Sequence, residues 1–322
     1  MNIAIIGATG LVGGMFLKIL EERNFKIDKL FLFASEKSDG KEIIFKNKKY
    51  IVKKLEYDIF EKNKINLALF SAGKEISKKF AILAAKNNCV VIDNSSAWRM
   101  NDKVPLVVPE VNPEDLKNHK NIIANPNCST IQLVVAIKKI HDVFKIKRIV
   151  ISTYQAVSGA GIFGINDLKN DDNKKFKYSI VNNCLPQIDN FDLETKYTLE
   201  ELKLINETKK ILHAPEINIT ATAVRVPVIN SHGESINLEL RRDFDIKEIF
   251  DILRNTPGVA IQDDIKNEIY PLAKNASGKD LVFVGRIRRD FSIKSGLNFW
   301  IVADNIRKGA ATNAVQIAER LI

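Results

Sequence analysis

The chain predicts an α/β fold in two parts: a parallel sheet covered by helices, then an α+β domain with a mixed sheet. Three observations carry this reading. Short apolar strands alternate with helical stretches through the first half. A glycine-spaced turn, Gly7-Ala-Thr-Gly10-Leu-Val-Gly13, joins the first strand to the first helix. In the second half the strands cluster, with fewer helices between them. At 322 residues the chain also exceeds one ordinary core, which favours two domains.

Taken in order, Asn2 to Ile6 reads as a short apolar strand and Leu11 to Arg23 as a helix. Leu30 to Phe33 and Asn66 to Ser71 are further strands, Ile76 to Asn87 is a helix, and Cys89 to Asp93 is the next strand. This alternation implies right-handed βαβ units. An apolar run from Ile131 to Ile140 forms a helix, with Asn127 as its N-cap. Beyond it, Lys147 to Val157 is a long β-branched strand and Leu199 to Leu212 a charged amphipathic helix. Ala221 to Ile229, Glu234 to Arg241, Leu281 to Arg288 and Leu297 to Ala303 read as strands. The last run, Arg307 to Leu321, is helical and returns to the first domain, so the domains are expected at 1–127 with 305–322, and at 128–304.

The composition is globular, 45% hydrophobic and 27% charged. No apolar stretch is long enough to span a bilayer, so no membrane role is expected. Met1 to Gly7 enters a strand without the basic and apolar regions of a secretory signal, so no signal peptide is expected. Three scattered cysteines, Cys89, Cys128 and Cys184, argue for a reducing cytoplasm over a disulfide framework. The net charge of +10 is spread among acids and asparagines. Runs such as Lys46-Asn47-Lys48-Lys49 and Asp171 to Lys175 read as solvated loops. Without zinc-finger spacing, an aromatic RNA-binding signature or a basic heptad region, a nucleic-acid partner is not expected. The positive field instead suits anionic small molecules.

The glycine turn sits where a dinucleotide's pyrophosphate would meet a helix N-terminus. Glycines let the backbone turn sharply and approach the phosphates, so the first domain is read as a Rossmann-type nucleotide domain. The spacing is G-x-x-G-x-x-G rather than G-x-G-x-x-G, a form still compatible with that fold. After the second strand stands Ala34-Ser35-Glu36-Lys37-Ser38. Two hydroxyls and a cation favour the 2′-phosphate of NADP, while an acid such as Glu36 suits the ribose hydroxyls of NAD.

Cys128, in Asn125-Pro-Asn-Cys-Ser-Thr130, opens the apolar helix. Unpaired N–H groups and the helix dipole there favour the thiolate, which makes Cys128 a candidate nucleophile as well as a candidate small core residue. Of the four histidines, His119 lies in a polar loop, while His141 and His213 lie near helix C-termini. His232 differs, since it stands in a glycine-containing turn at the start of a strand. No histidine pair has ligand spacing, so no metal is expected. A dinucleotide with an activated cysteine makes one coherent chemistry: thiolate addition to a carbonyl, hydride transfer and an enzyme thioester.

Along its whole length the chain resembles the aspartate-β-semialdehyde dehydrogenase family, particularly its Gram-positive and archaeal-like branch. The motifs are the glycine turn, Asp93-Asn-Ser-Ser-Ala-Trp-Arg99, Asn125 to Thr130, and Tyr154-Gln-Ala-Val-Ser-Gly-Ala-Gly161. Pro186-Gln-Ile-Asp189, Glu200-Glu-Leu-Lys203, Arg225-Val-Pro-Val-Ile-Asn-Ser-His232 and Gly309-Ala-Ala-Thr-Asn313 continue the likeness. The resemblance implies that Cys128 is the acyl-forming nucleophile, His232 the general acid/base, and Gln155 the residue that orients the intermediate. It also implies that Arg225 and Glu200 hold the substrate carboxylate and amino group, and that Arg99, Asn127 and Lys203 bind phosphate. Gly7, Thr9, Gly10, Leu11, Val12, Ser35, Lys37, Ser38, Ser158, Gly159, Pro186 and Asn313 would line the NADP site. One departure is Lys37-Ser38 where this branch usually has Arg-Ser; a lysine keeps the charge without the planar fork.

The implied reaction is reduction of L-aspartyl-4-phosphate by NADPH, by a homodimer. Each residue also has a plainer reading: Arg99 and Arg225 as interdomain salt-bridge partners, Glu200 and Lys203 as a surface i,i+3 pair, Gln155 as a strand residue facing water. N-acetyl-γ-glutamyl-phosphate reductase is the alternative enzyme, and a non-catalytic dinucleotide-binding redox sensor the alternative of another class.

Overall fold

The computed structural model describes residues 1–321. It divides into two compact units, Met1–Pro126 with Ala310–Ile322, and Asn127–Gly309.

In the first unit, β1 (Asn2–Ile6) leads through a glycine turn into α1 (Leu11–Glu22), followed by β2 (Lys29–Ala34). Next come β3 (Glu42–Phe45), β4 (Lys48–Ile51), the short β5 (Lys53–Lys54) and α2 (Ile59–Asn63). β6 (Leu67–Phe70), α3 (Lys74–Lys86), β7 (Val90–Asp93) and β8 (Ile122–Ala124) complete the series. The main sheet runs β5-β2-β1-β6-β7-β8, with every neighbouring pair parallel. Ile3 to Ile6 and Leu67 to Phe70 are buried throughout, as strands covered on both faces must be. Phe16, Ile19 and Leu20 of α1 share one core with Val315, Ile317 and Ala318 of the C-terminal helix Thr312–Glu319.

One reading of the sequence needs correction here. Lys46 to Lys49 is exposed as expected, but only Lys46-Asn47 is a turn, with Lys48 and Lys49 in a strand. β3 and β4 form an antiparallel hairpin whose turn is Lys46-Asn47, with φ of 47° and 59°. Positive φ at both positions gives the mirror-image turn that matches strand twist. The C-terminal run is helical as expected, opening with a π-helical turn at Arg307–Ala311 before α-helix from Thr312.

The second unit is built on a six-stranded sheet of order β10-β9-β11-β14-β13-β12. Its strands are β9 (Ile146–Gln155), β10 (Asn218–Arg225), β11 (His232–Leu240), β12 (Val259–Ile261), β13 (Val282–Asp290) and β14 (Gly296–Ala303). The β9–β10 and β12–β13 pairs are parallel and the rest antiparallel, so the sheet is mixed. β10 stops at Arg225 rather than running to Ile229, because Pro227 has no N–H to continue a ladder. The helices are α4 (Cys128–Phe144), α5 (Gly161–Asn170), α6 (Leu199–Ile211) and α7 (Ile246–Arg254). α4 packs against β9, β11, β13, β14, α6 and α7, and Ser129 to Ile137 are all buried. A helix enclosed through Ile137, with only Lys139, Asp142 and Val143 exposed near its end, is a core element, which explains its nearly continuous apolar run.

Candidate active site

Strand direction gathers the second unit's polar residues. β9 and β10 run parallel and end together, with Gln155 opposite Arg225. Antiparallel β11 begins at that same end, with Gly233 opposite Tyr154. Alternation then decides the face. Ile149, Ile151, Thr153 and Gln155 of β9, Ala221, Ala223 and Arg225 of β10, and His232, Glu234 and Ile236 of β11 all point inward and are buried. Gln155 is therefore not a strand residue facing water.

α4 supplies the thiol. Asn127 caps it as its sequence position predicts: Oδ1 accepts the N–H groups of Ser129 at 3.0 Å and Thr130 at 3.3 Å. Cys128 is the first helical residue and is only partly buried. Gly309 lies against it, so close that a Cβ there would sit 3.0 Å from the Cys128 Cβ. Cys89 is a contrast, since burial pushes its thiol up to about 12, leaving it a core residue. Cys184 is exposed.

Glu200, near the start of α6, links these parts. Its Oε1 accepts the Asn127 side-chain amide at 2.9 Å and the Gln155 amide at 3.2 Å, and its Oε2 accepts Lys203 Nζ at 3.2 Å. Lys203 also donates to Asp189 at 2.7 Å. Glu200 is buried, which its reading as a surface helix pair does not allow. Burial pushes its carboxyl up, but Lys203, the Asn127 amide, Arg225 and the Gln155 amide outweigh this and hold it below the usual range.

Arg225 and His232 face a common point. Arg225 Nη1 donates to the Ala156 carbonyl at 2.7 Å, and its Nε has no hydrogen-bond partner among the described residues. Burial lowers its pKa, against opposing charge on Glu200 and Cys128; a guanidinium remains cationic regardless. His232 Nδ1 accepts the Ala156 N–H at 3.0 Å, while its buried Nε2 is unpartnered among the described residues. Burial, with Arg225 adding, pushes this histidine well below 6.5, so the ring is neutral. Gly159 borders both groups. A Cβ there would lie 3.0 Å from Arg225 Nη1 and 3.3 Å from His232 Cε1 and Nε2.

The first unit holds the glycine turn, and its residues fit a dinucleotide. The N-cap of α1 is Gly10, with no side-chain cap, so the helix's first N–H groups are not taken up by a cap side chain. Gly7 has φ +91°, and a Cβ on Gly13 would fall 2.2 Å from the Gly7 carbonyl oxygen, so the turn requires both glycines. Leu11 and Val12 start the helix, and Thr9 and Ser38 join hydroxyls at 3.2 Å across the ends of β1 and β2. Ser35 and Lys37 are exposed beside them. Glu36 pairs with Lys54 at 3.0 Å, which gives that acid a cationic partner of its own.

The remaining candidates are engaged locally. In the first unit, Arg99 Nε donates to the Asn125 carbonyl at 3.0 Å and Nη2 to the Asn94 carbonyl at 2.9 Å. Asn313 is buried and donates to the Val107 carbonyl at 3.0 Å and Asn125 Oδ1 at 2.7 Å. In the second, Ser158 Oγ donates to Asn230 Oδ1 at 3.1 Å and accepts from Asn305 Nδ2 at 3.0 Å. Pro186 is exposed next to Leu185, which bridges to Arg225. Glu207 and Glu234 are among the buried carboxyls that were not anticipated. Glu207 lies seven residues after Glu200 on the same face of α6, a spacing visible in the sequence. Glu234 lies two residues after His232 on the inner face of β11, which strand alternation could have found.

The chain is similar to known proteins along its whole length. The family described as "Semialdehyde dehydrogenase, NAD binding domain" matches residues 2–119, and "Semialdehyde dehydrogenase, dimerisation domain" matches 137–308. The aspartate-semialdehyde dehydrogenase of Aquifex aeolicus is 55% identical over 100% of this chain and 98% of its own. That of Bacillus subtilis is 45% identical over 100% of this chain and 97% of its own. The crystal structure of aspartate semialdehyde dehydrogenase II from Vibrio cholerae superimposes with a TM-score of 0.94, at 47% identity, covering 99% of this chain and 98% of that one. A second structure of that enzyme, complexed with ASA, gives the same TM-score of 0.94 at 46% identity, over 99% of this chain and 97% of that one. With both domain families matched in order and relatives aligned end to end, the chain belongs to the aspartate-semialdehyde dehydrogenase family.

Proposed function

We propose that this protein reduces L-aspartyl-4-phosphate to L-aspartate-4-semialdehyde with NADPH, releasing phosphate, as a homodimer in the cytoplasm. The reaction supplies lysine, threonine, methionine and isoleucine synthesis. One observation carries the substrate assignment: an anionic Glu200 and a cationic Arg225, both buried, accompany the helix that bears Cys128. An α-amino acid has one charge for each. The acetamide of an N-acetyl-γ-glutamyl substrate carries no positive charge to set beside the Glu200 carboxylate, which disfavours the reductase alternative. A dimerisation domain in the second unit's sequence supports the homodimer. Three unbridged cysteines support a reducing compartment, and no helix among the described residues is long and apolar enough to cross a membrane.

Cys128 Sγ attacks the acyl carbon, the tetrahedral oxygen pushes out phosphate, and a thioester remains on the chain. Arg99, Asn127 and Lys203 bind the departing phosphate, and Gln155 orients the acyl group. Gly7, Thr9, Gly10, Leu11, Val12, Ser35, Lys37, Ser38, Ser158, Gly159, Pro186 and Asn313 hold NADPH, which when bound supplies the hydride. After hydride transfer, His232 Nε2–H shares its proton with the oxyanion of the thiohemiacetal and keeps it as the C–S bond breaks and the Cys128 thiolate leaves; Nε2 is the nitrogen that can do so because Nδ1 accepts the Ala156 N–H.

The test is phosphate-dependent reduction of NADP with aspartate semialdehyde, run beside N-acetylglutamate semialdehyde and beside NAD. Turnover of the aspartate compound with NADP is expected. Preference for the acetylated compound would overturn the substrate assignment, and equal use of NAD would overturn the NADP assignment.

A further inference from the structure

Asn127 does more than cap α4. Its side-chain oxygen holds the first-turn N–H groups, its amide donates to Glu200, and its main-chain N–H donates to Glu207 Oε2 at 2.7 Å. Two carboxyls from one face of α6 therefore grip the single residue that precedes Cys128. Glu207 is only 1% exposed. Burying a carboxyl there opposes folding unless its hydrogen bonds are made, and the neighbouring buried positions on α6 include Leu204 and Ile211. An apolar side chain would fit that setting for packing alone.

We propose that Glu207 is a positioning residue for the thiol: by holding the Asn127 N–H it fixes the turn into α4 and so the direction of Cys128 Sγ. It acts through Asn127 and touches neither substrate nor cofactor. The proposal rests on Cys128 being the nucleophile. Misplacement of a reacting atom by about 1 Å costs on the order of 10²-fold in rate, with little effect on binding. Glu207 thus governs kcat rather than KM.

Steady-state kinetics of the full-length enzyme test this with three variants. Glu207→Leu removes the acceptor at similar volume; kcat is expected to fall about 30- to 100-fold with KM for aspartate semialdehyde within about threefold. Glu207→Gln keeps an acceptor oxygen at the same reach, and kcat is expected to return to within about threefold of the parent. Unchanged kcat in Glu207→Leu, a loss appearing in KM instead, or a Gln variant as impaired as Leu would each overturn the proposal. Should Glu207→Leu not fold, Glu207→Asp decides, since it retracts the carboxylate by one methylene. A reduced kcat there upholds the proposal and a parental kcat overturns it. Cys128→Ala, assayed alongside, separates the two claims: activity in that variant would remove the nucleophile assignment itself.

Discussion

The imidazole of His232 accepts the Ala156 N–H at Nδ1, 3.0 Å away, which commits the neutral ring to carrying its proton on Nε2. Burial and Arg225 hold this histidine well below 6.5. Its ring signals, among only four histidines, should therefore not titrate between pH 8 and 6 by NMR of isotope-labelled protein. A midpoint near 6.5 assigned to His232 would contradict the burial argument. His232→Asn should lower kcat about 10²- to 10⁴-fold while NADPH binding persists.

Cys128→Ala should fold, bind NADPH by fluorescence titration and lose at least about 10³-fold in turnover, because no other group on α4's first turn can form a thioester. Substantial turnover by this variant would refute the acyl-enzyme.

Gly159→Ala tests the point where Arg225 and His232 converge. A methyl group 3.0 Å from Arg225 Nη1 and 3.3 Å from His232 Nε2 must displace one of them. We expect kcat to fall about tenfold or more with the melting temperature little changed, since the displaced groups are side-chain ends. Parental kinetics would show that the ring and guanidinium can yield without consequence.

Glu234 provides a stability test with a definite sign. Burial raises its carboxyl well above 4.5, so the folded state keeps it protonated. Such a group contributes its full stability below the unfolded pKa of about 4.3 and loses it as pH rises towards the folded value. Glu234→Gln should consequently melt higher than the parent at pH 8, by about 2–4 °C for each kcal/mol relieved. The difference should vanish near pH 4. His232 runs the other way: its folded pKa is depressed, so its contribution is full above about 6.5 and is lost as pH falls from there towards the folded value.

Lys37→Ala should raise KM for NADP about tenfold while leaving KM for NAD nearly unchanged, because the exposed ammonium is the cation offered next to Ser38. Equal effects on both cofactors would remove Lys37 from 2′-phosphate recognition.

How much of this could be read from sequence depends on whether local periodicity or tertiary burial fixed the outcome. β1, α1 and α4 were legible because their apolar spacing and caps are local, and Asn127 proved to cap α4 as its position suggested. The β3–β4 hairpin was missed because the charged run Lys46-Asn47-Lys48-Lys49 at its centre looks like loop, and its backbone φ values reveal the turn. α5 was missed because it contains Gly161 and Gly164, poor helix formers that tertiary packing overrides. Among the site residues, Cys128 and His232 carried local signals. Glu207 and Glu234 did not, since a carboxylate in an amphipathic pattern looks solvated until the fold shows what covers it. The same limit applied to Gln155, whose alternative reading as a water-facing residue disappears once β9 is seen to point it inward.

The enclosure of α4 reaches beyond its role as a mount for the thiol. A rod packed by four strands and two helices cannot roll or slide, so Cys128 has one fixed station. Under the proposed substrate assignment, changes in substrate length are absorbed elsewhere, by α6 with Glu200 and by the ends of β9 and β10 with Gln155 and Arg225. Substitutions that retune this enzyme towards a longer acyl phosphate should collect in those segments, while α4 stays constant as the origin from which the substrate is measured.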